Sequence, residues 1–449
     1  MKRVRIGGGA AFSGDRVFPA VELVEKGDLH YIAFDYLAEL TLAIQQKVKK
    51  KDPRRGYAPD IEWAGQEILP RCARRGLRYL TNGGGANPKA AGEKAAEILR
   101  EYGIRGKKVA VVLGDDITEE LDRYRAQGVS LTNLDTGEPF DRIRDRVVSA
   151  NAYLGAWPMV EALAQGADVL ITGRCADSAL WLAPLIHEFG WRQDDWDLLA
   201  AGSTVGHLLE CSCQCTGGNF SGWREVPEPW HVGYPIAEVK PSGEAIITKP
   251  PGTGGLVTVA TCKEQLLYEV HDPADYRLPD VTVDLTVARL EQVGPDRVRL
   301  TGIRGRPRPE MLKALVGYHA GFLAEGYISY GWPDALEKAR LADEILRHWV
   351  QEAGLKPQEM RAEFIGHSAI HGPLASHQEP EEVRVRFAAR FATEREAQRF
   401  AREIVGLWVA PPAGATGILG PPSVREVIGL WPTLVPWEAV RTEIIWLES

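Results

Sequence analysis

Cysteine, long apolar segments and excess positive charge are all scarce in this chain of 449 residues. No run approaches the roughly 18 apolar residues that a helix needs to span a bilayer, and the segment MKRVRIGGGAAFSGDR lacks the apolar core of a signal peptide. We therefore predict a cytoplasmic protein that does not bind membranes. The formal net charge of -8 argues against a broad surface for phosphate backbones, so nucleic acid is not an expected partner.

The six cysteines are too few for a disulfide framework in a chain of this length, which indicates reduced thiols. Three of them stand close together in CSCQC, residues 211–215. On a strand they would share a face and could bind a metal, but structural zinc sites use separated pairs such as C-x-x-C, and the sequence has no second pair. We predict buried thiols and no metal site at these cysteines.

Segments typical of strands and helices alternate through the first half of the chain. The segments KRVRIGGG, LRYLTNGGG, KKVAVVLGDD and ADVLITGR are typical of strands, with helical segments such as PKAAGEKAAEILREYG between them. This alternation predicts an α/β fold in which a parallel sheet of βαβ units forms an N-terminal domain, residues 1–275. Beyond it, segments such as DRVRLTGIRG and EVRVRFAARF alternate polar with apolar residues, so residues 276–449 are predicted to form a smaller α+β domain with antiparallel strands.

Polar residues follow the predicted carboxyl ends of several parallel strands. They are Asp15, Arg16, Asp35, Glu39, Asn82, Asp115, Asp116 and Arg174. Ligands bind at that edge in open α/β sheets and in α/β barrels, so we predict that these residues surround one site. Arg174 could bind a carboxylate or phosphate there through two N–H groups, or it could pair locally with Asp177.

Two glycine runs, residues 7–9 and 83–85, stand at the ends of predicted strands. Their backbone N–H groups could bind an anion beside a helix N-terminus, or the glycines could only permit tight turns. The predicted anion-binding glycines are Gly8, Gly9, Gly83 and Gly84. A dinucleotide site is the third interpretation, because Asp35 stands where a ribose-binding acid would, although the G-x-G-x-x-G pattern meets Phe12 at its last position.

Three further motifs contain residues that could act in catalysis or bind a ligand. In GHLLEC, His207 and Glu210 would share one helix face and could form an acid/base pair, although such pairs are also common on solvated helices. Asp115 and Asp116 could hold Mg²⁺ or could interact with the dipole of the following helix. Lys249, in TKPPGTGG, could close over an anion or belong to a surface turn.

A series of ordered motifs resembles the AtuA-like proteins of acyclic terpene utilisation. The motifs are IGGGAAFSGDR, IAFDYLAE, TNGGGANP, GRCADSAL, GHLLEC with TGGNF, GYPIAEV, KPPGTGG followed by EQLLYEVHDP, and RGRPRP through VGYHAGFLAEGYISY. The resemblance covers nearly the whole chain. It implies a role beside acyl-CoA carboxylation in the catabolism of acyclic or branched acids, and it implies no defined role for any single residue.

We predict an enzyme that acts on a carboxylate or an acyl-CoA thioester, a lyase or hydratase that moves a proton next to a carbonyl. The predicted catalytic residues are Asp35, Glu39, His207 and Glu210. The predicted substrate- and anion-binding residues are Gly8, Gly9, Asp15, Arg16, Asn82, Gly83, Gly84, Arg174, Asp177 and Lys249. The alternatives are a non-catalytic subunit that binds acyl-CoA or scaffolds a carboxylase, and a nucleotide-dependent enzyme. The cofactor is unknown, with Mg²⁺ as the one candidate.

We also predict a homo-oligomer, because loops of residues 201–275 at the site and antiparallel strand edges in the second domain need cover. Multi-angle light scattering at micromolar concentration should give a mass of at least two chains. A monomer mass under those conditions would contradict the prediction.

Overall fold

The computed structural model describes residues 2–375, 378–417 and 420–449. Its strands are β1 (Val4–Ala10), β2 (Tyr31–Phe34), β3 (Arg78–Thr81), β4 (Lys108–Leu113), β5 (Val147–Ala152), β6 (Val169–Thr172), β7 (Ile236–Val239), β8 (Ala245–Thr248), β9 (Tyr276–Arg277), β10 (Thr282–Asp284), β11 (Arg289–Gly294), β12 (Arg297–Thr301), β13 (Arg304–Arg306), β14 (Met311–Gly331), β15 (Glu359–Ile365), β16 (Glu382–Phe391), β17 (Ser423–Pro436) and β18 (Glu443–Glu448). Its α-helices are α1 (Val17–Lys26), α2 (Thr41–Lys51), α3 (Asp60–Arg75), α4 (Pro88–Glu101), α5 (Leu121–Ala126), α6 (Trp157–Ala164), α7 (Ala179–Phe189), α8 (Trp196–Leu209), α9 (Val259–Leu267), α10 (Ala335–Glu352) and α11 (Glu394–Gly406).

The chain divides into two compact units. The larger contains the residues up to Gly317 together with Leu430–Ser449, and the smaller is Tyr318–Gly429. The fold is mixed α/β, as the sequence predicts at this level. The two compact units divide the chain at other residues than residue 275. The predicted domain boundary at that residue stays a prediction.

The larger unit is built on one mixed sheet with the strand order β11-β12-β8-β7-β1-β2-β3-β6-β4-β18. The five strands from β1 to β4 in that order pair in parallel, and antiparallel strands extend the sheet on both sides. Successive residues of β2 alternate between two cores. Tyr31 and Ala33 pack with residues of α6, α7 and α8, whereas Ile32 and Phe34 pack with residues of α1, α3 and α4.

Helix ends in this unit agree with the local sequence signals. Pro19 lies in the first turn of α1, and Gly27 follows its last residue and donates its N–H to Leu23 O. Pro88 is the first residue of α4, a position that proline favours. The side chain of Asn87 does not cap that helix, however, because its amide donates to the carbonyl oxygens of Pro53 and Arg55 instead.

The first glycine run corrects the sequence interpretation. Its three glycines do not form the turn from strand to helix; they lie inside β1, in the middle of the sheet. A Cβ on Gly8 would stand 2.2 Å from Leu209 O, and one on Gly9 would stand 2.4 Å from the Phe34 ring. The glycines therefore allow α8 and β2 to approach the backbone of β1 closely.

Strands of the C-terminal half join this sheet. β12 pairs with β8, and β18 pairs with β4 through a register that aligns Glu443 with Leu113. The alternating pattern predicts β12 correctly, whereas the sequence analysis made no prediction for β18. The pattern does not predict that β12 pairs with β8, because a period of two specifies which face is buried and carries no information on the neighbouring strand.

The smaller unit has its own core. Its sheet has the strand order β15-β16-β14-β17, and β16 pairs antiparallel with both β15 and β14. Only part of β14 and part of β17 lie within this unit. Apolar residues of α10 and α11 pack against alternate residues of β16, including Val383, Val385 and Phe387. In the described ranges, no helix has both the length and the apolar character required to cross a membrane.

Replacing Gly8 by alanine tests the close approach of α8 to β1. The new methyl group would meet a backbone carbonyl, which cannot move away as a side chain can, so we expect a loss of about 3 kcal/mol or more in the free energy of unfolding. The matched control is Gly294→Ala in β11, where the nearest heavy atom lies 3.8 Å from the new carbon. Chemical denaturation of both variants measures the difference. Equal stability of the two variants would contradict the packing described here.

Candidate functional site

A cavity of about 1270 Å³ lies within the larger unit and is called the main cavity below. Its wall comes from the segments that follow β1, β2 and β6, from the end of α8 and the turn after it, and from residues between 268 and 313. Seven of the predicted site residues line it: Asp15, Asp35, Glu39, Arg174, Asp177, His207 and Glu210. The other seven, which are Gly8, Gly9, Arg16, Asn82, Gly83, Gly84 and Lys249, do not.

Asp35 lies at the end of β2 and is buried. Its Oδ1 accepts hydrogen bonds from Asn82 Nδ2 at 2.5 Å and from Leu37 N at 3.1 Å. In the described part of the chain no hydrogen bond reaches its Oδ2. Burial, opposed by the charge of Arg174 and by these hydrogen bonds, holds the pKa of Asp35 above its ordinary value. Asp35 can therefore keep a proton at a pH where an exposed aspartate would lose it.

Asn82 acts behind Asp35, not in the cavity wall. Its Nδ2 holds Asp35, while its Oδ1 accepts a hydrogen bond of 2.8 Å from Tyr36 N. Because β2 and β3 pair in parallel, their carboxyl ends meet and bring the two side chains together, as the sequence predicts. Asn82 thus fixes the orientation of the Asp35 carboxyl group.

Arg174 is only 1% exposed, and most of its polar groups are bound within the protein. Its Nε donates to Cys175 O at 2.8 Å, one terminal nitrogen donates to Leu37 O at 2.9 Å, and the other pairs with Asp177. Its guanidinium carbon lies 4.5 Å from the centroid of the Tyr153 ring. The structure therefore supports the local pairing with Asp177, and it leaves one N–H on each terminal nitrogen for a ligand.

Glu39 stands opposite a lysine that the sequence analysis did not identify. Lys313 Nζ lies 2.7 Å from Glu39 Oε1, and the Tyr153 hydroxyl donates to the same oxygen at 3.4 Å. Burial raises the pKa of Glu39, but these hydrogen bonds and the lysine charge outweigh it, so the pKa lies below its ordinary value. Glu39 is consequently ionised and paired, which suits a structural partner better than a group that exchanges protons.

His207 and Glu210 form the pair that their spacing predicts. His207 Nδ1 lies 2.8 Å from Glu210 Oε1 at the end of α8, and His207 Nε2 lies 3.2 Å from Leu266 O. A carbonyl oxygen can only accept a hydrogen bond, so Nε2 carries a hydrogen. One further proton then lies between Nδ1 and Oε1, either on the imidazole or on the carboxyl group.

Glu210 retains one free oxygen. The residue is 7% exposed and lines the main cavity, and its Oε2 is buried without a hydrogen-bond partner among the described residues. Burial, only partly offset by His207, holds the pKa of Glu210 above its ordinary value, and Asp35 and Glu269 add to the rise. A buried unpaired carboxyl oxygen is costly unless a ligand or water uses it.

The pKa of His207 also lies above its ordinary value. Burial lowers it, but the charge of Glu210 and the hydrogen bonds to Glu210 and Leu266 outweigh that effect. Gln265 Nε2 donates to His207 O at 2.9 Å and supports this end of the helix. Gln265, Tyr276 and Lys313 were missed by the sequence analysis because no local pattern links them to α8 or to the strand ends; the motif EQLLYEVHDP was the only signal near two of them.

The loop after β1 uses several of its N–H groups within the protein. Asp15 accepts hydrogen bonds from Ala11 N and Arg16 N, and Asp60 accepts one from Gly14 N. These carboxylates occupy the positions where a phosphate would bind such a loop. The sequence-based proposal of anion binding at Gly8 and Gly9 thus gains no support from the geometry.

The second glycine run is similar. Gly83 N donates to Thr81 Oγ1 at 2.9 Å, and Gly84 N donates to Thr172 O at 3.1 Å. Lys249 also lies apart from the main cavity, since its ammonium group is bound to Thr253 O at 2.7 Å and to Asp296 at 3.2 Å. The predicted binding roles of these residues stay predictions that the geometry does not favour.

The candidate metal ligands point to separate partners. Asp115 accepts hydrogen bonds from Asn151 Nδ2 and Arg174 N, both at 2.8 Å, whereas Asp116 caps the turn at Thr118. Burial raises the pKa of Asp115 to about 6. In residues 2–375, 378–417 and 420–449, no group of three or more histidine, cysteine, aspartate or glutamate side chains is placed to hold a metal ion.

The cysteines of residues 211–215 do not lie on a strand, as the metal-binding alternative required. Residues Ser212–Thr216 form a 3-10 helix, so the three cysteines do not share one face. Cys215 is buried, while Cys211 and Cys213 line the main cavity. Burial is the largest cause that holds the pKa of the Cys211 thiol near 12, so it is protonated at neutral pH and is a poor nucleophile or metal ligand.

These features define a mixed α/β protein with a large cavity and a buried histidine–glutamate pair at its wall. The chain matches the family model described as "Acyclic terpene utilisation family protein AtuA" over residues 4–446, nearly its whole length, and belongs to that family. Comparisons with curated proteins and with solved structures gave no match.

Replacing Arg174 by lysine tests its structural role. Lysine keeps the charge but cannot reach Leu37 O, Cys175 O and Asp177 together, so we expect a loss of about 2–4 kcal/mol in the free energy of unfolding. The matched control is Arg192→Lys, an exposed arginine paired with Asp195 three residues on, for which we expect a change within about 0.5 kcal/mol. Urea denaturation measures both. A change in Arg174→Lys as small as in the control would contradict the structural role.

Proposed function

We propose that this protein is an enzyme that moves a proton at the carbon next to the carbonyl of a carboxylate or an acyl-CoA thioester, in a lyase or hydratase reaction. The observation that carries the proposal is the unpartnered Oε2 of Glu210, which is buried at the wall of the main cavity while Oε1 is held by His207. A carboxylate fixed on one oxygen and open on the other is well suited to act as a general base.

His207 is the positioning residue of this base. Its Nε2–H is bound to Leu266 O, so its ring cannot turn to meet a substrate, and only Nδ1 remains to share a proton with Glu210. When the shared proton is on His207, Glu210 is ionised and its Oε2 can accept a proton from carbon. The positive imidazole then offsets the charge that burial makes costly.

Asp35 supplies the second group that the reaction needs. It lines the same cavity, and its raised pKa favours the protonated form. In a dehydration, Glu210 removes the proton, and the electron pair of the C–H bond forms the new double bond. The C–O bond of the hydroxyl group breaks, and hydroxide leaves with the proton of Asp35 as water. Hydration is the reverse sequence.

The charge of Arg174 acts on the proposed acid, Asp35. It is the largest cause opposing the rise in the pKa of Asp35. Its two remaining N–H groups, together with Lys313, are the cationic donors that can face a carbonyl or carboxylate in the cavity. The assembly of the protein and its location in the cell stay predictions, and so does a Mg²⁺ requirement.

Exchange of substrate hydrogen with solvent deuterium tests the proposal without knowledge of the full reaction. In D₂O the enzyme should incorporate deuterium beside the carbonyl of at least one of butanoyl-CoA, 3-hydroxybutanoyl-CoA or crotonyl-CoA, or of the free acids, as read by mass spectrometry. Glu210→Gln keeps the shape but cannot accept the proton, so we expect its exchange rate to fall at least 100-fold.

The control variant is Glu119→Gln, an exposed glutamate outside the cavity, which should exchange at the wild-type rate. Stabilisation by these compounds in a thermal-shift assay, with no exchange in any of them, would overturn the enzyme proposal and favour a non-catalytic acyl-binding subunit. Stabilisation by NAD or ATP alone would favour the nucleotide-dependent alternative.

A further inference from the structure

A smaller cavity of about 400 Å³ adjoins the main cavity within the larger unit and is called the side cavity below. Four residues line both cavities: Asp15, Cys213, Gly218 and Asn219. The two cavities therefore meet at one shared wall, formed by the loop after β1 and the turn after α8. None of the residues to which the proposed function gives a role lines the side cavity.

Several polar groups of the side cavity are already bound within the protein. Asp15 accepts hydrogen bonds from two backbone N–H groups and from the Tyr234 hydroxyl, the last at 2.7 Å. Asn219 Nδ2 donates to Gln214 Oε1 at 3.0 Å, and Arg16 donates to Trp230 O at 3.3 Å. A polar ligand group would have to displace these partners, whereas an apolar group would leave them intact.

Apolar side chains form the rest of the side cavity. They are Pro19, Trp223, Val226, Pro229 and Val232. Trp223 lines this cavity and is 60% exposed. An aliphatic chain placed against these side chains would remove apolar surface of both partners from water, which is favourable in proportion to the area.

The main cavity is different in character. Its wall holds seven carboxylate residues against three lysine or arginine residues, together with the unpartnered Oε2 of Glu210. A molecule with a polar reacting end and an aliphatic chain matches this division, with its polar end beside Glu210 and its chain directed towards the shared wall. A ligand that is polar along its whole length does not match the division.

We propose that the side cavity binds the aliphatic chain of the substrate, so that the substrate is a carboxylate or thioester with a chain long enough to extend beyond the four residues that line both cavities. The inference rests on the proposed function for the position of the reacting end. The side cavity then determines specificity for chain length, since each CH₂ group that it takes from water improves the affinity.

Calorimetric titration of the full chain with butanoate, hexanoate, octanoate and decanoate tests the inference. Once the chain reaches the side cavity, the Kd of the wild type should fall about fourfold for each added CH₂. Trp223→Ala removes an apolar ring from the lining of the side cavity, and Val232→Phe adds bulk to that lining. In both variants the Kd of decanoate should rise at least tenfold while that of butanoate changes less than twofold.

The control is Trp63→Ala, a tryptophan that is 79% exposed on α3 and lines neither cavity, and its chain-length series should equal that of the wild type. A wild-type Kd that does not depend on chain length, or the same dependence in Trp223→Ala and Val232→Phe, would overturn the inference. The series in Glu210→Gln separates the two proposals, because that variant should lose deuterium exchange and keep the chain-length dependence.

Discussion

The site depends on the contacts that the buried Arg174 makes between strand ends. Its backbone N–H is bound to Asp115 at the end of β4, and its side chain is bound to Leu37 O beyond β2 and to Asp177 in its own loop. A guanidinium group is suited to this task because its donors point in fixed directions and it stays charged in a buried place. The Asn82–Asp35 hydrogen bond adds the end of β3. Four parallel strands are thereby tied together on one side of the main cavity.

Each carboxyl group on this wall has a different partner, and the partner decides what the group can do. Lys313 keeps Glu39 ionised, and burial favours the protonated form of Asp35. Glu210 shares a proton with His207. The pKa of Glu39 is thus lowered whereas those of Asp35 and Glu210 are raised, so carboxyl groups of similar chemistry differ in acidity within one cavity.

Local spacing and strand polarity predicted part of this site. The three-residue separation of His207 and Glu210 on a helix, and the shared edge of parallel strands for Asp35 and Asn82, follow from regular geometry. The three glycines within β1 were misplaced, because the atom that requires Gly8 is Leu209 O, two hundred residues away. Lys313 was missed for the same reason: its partner Glu39 is distant in sequence, and an isolated lysine carries no local signal.

The central claim is that His207 and Glu210 share one proton while the buried Oε2 of Glu210 has no hydrogen-bond partner among the described residues. Nitrogen-15 NMR of the protein labelled at histidine tests it most directly, because it distinguishes the two ring nitrogens. The account predicts that Nε2 of His207 keeps its hydrogen across the titration, and that the imidazole titrates above the ordinary pH range of histidine. In Glu210→Gln the pKa of His207 should fall, because burial is then opposed by the weaker effects of the Leu266 carbonyl and the Glu269 charge. A His207 with an unprotonated Nε2, or a titration that Glu210→Gln leaves unchanged, would contradict the account.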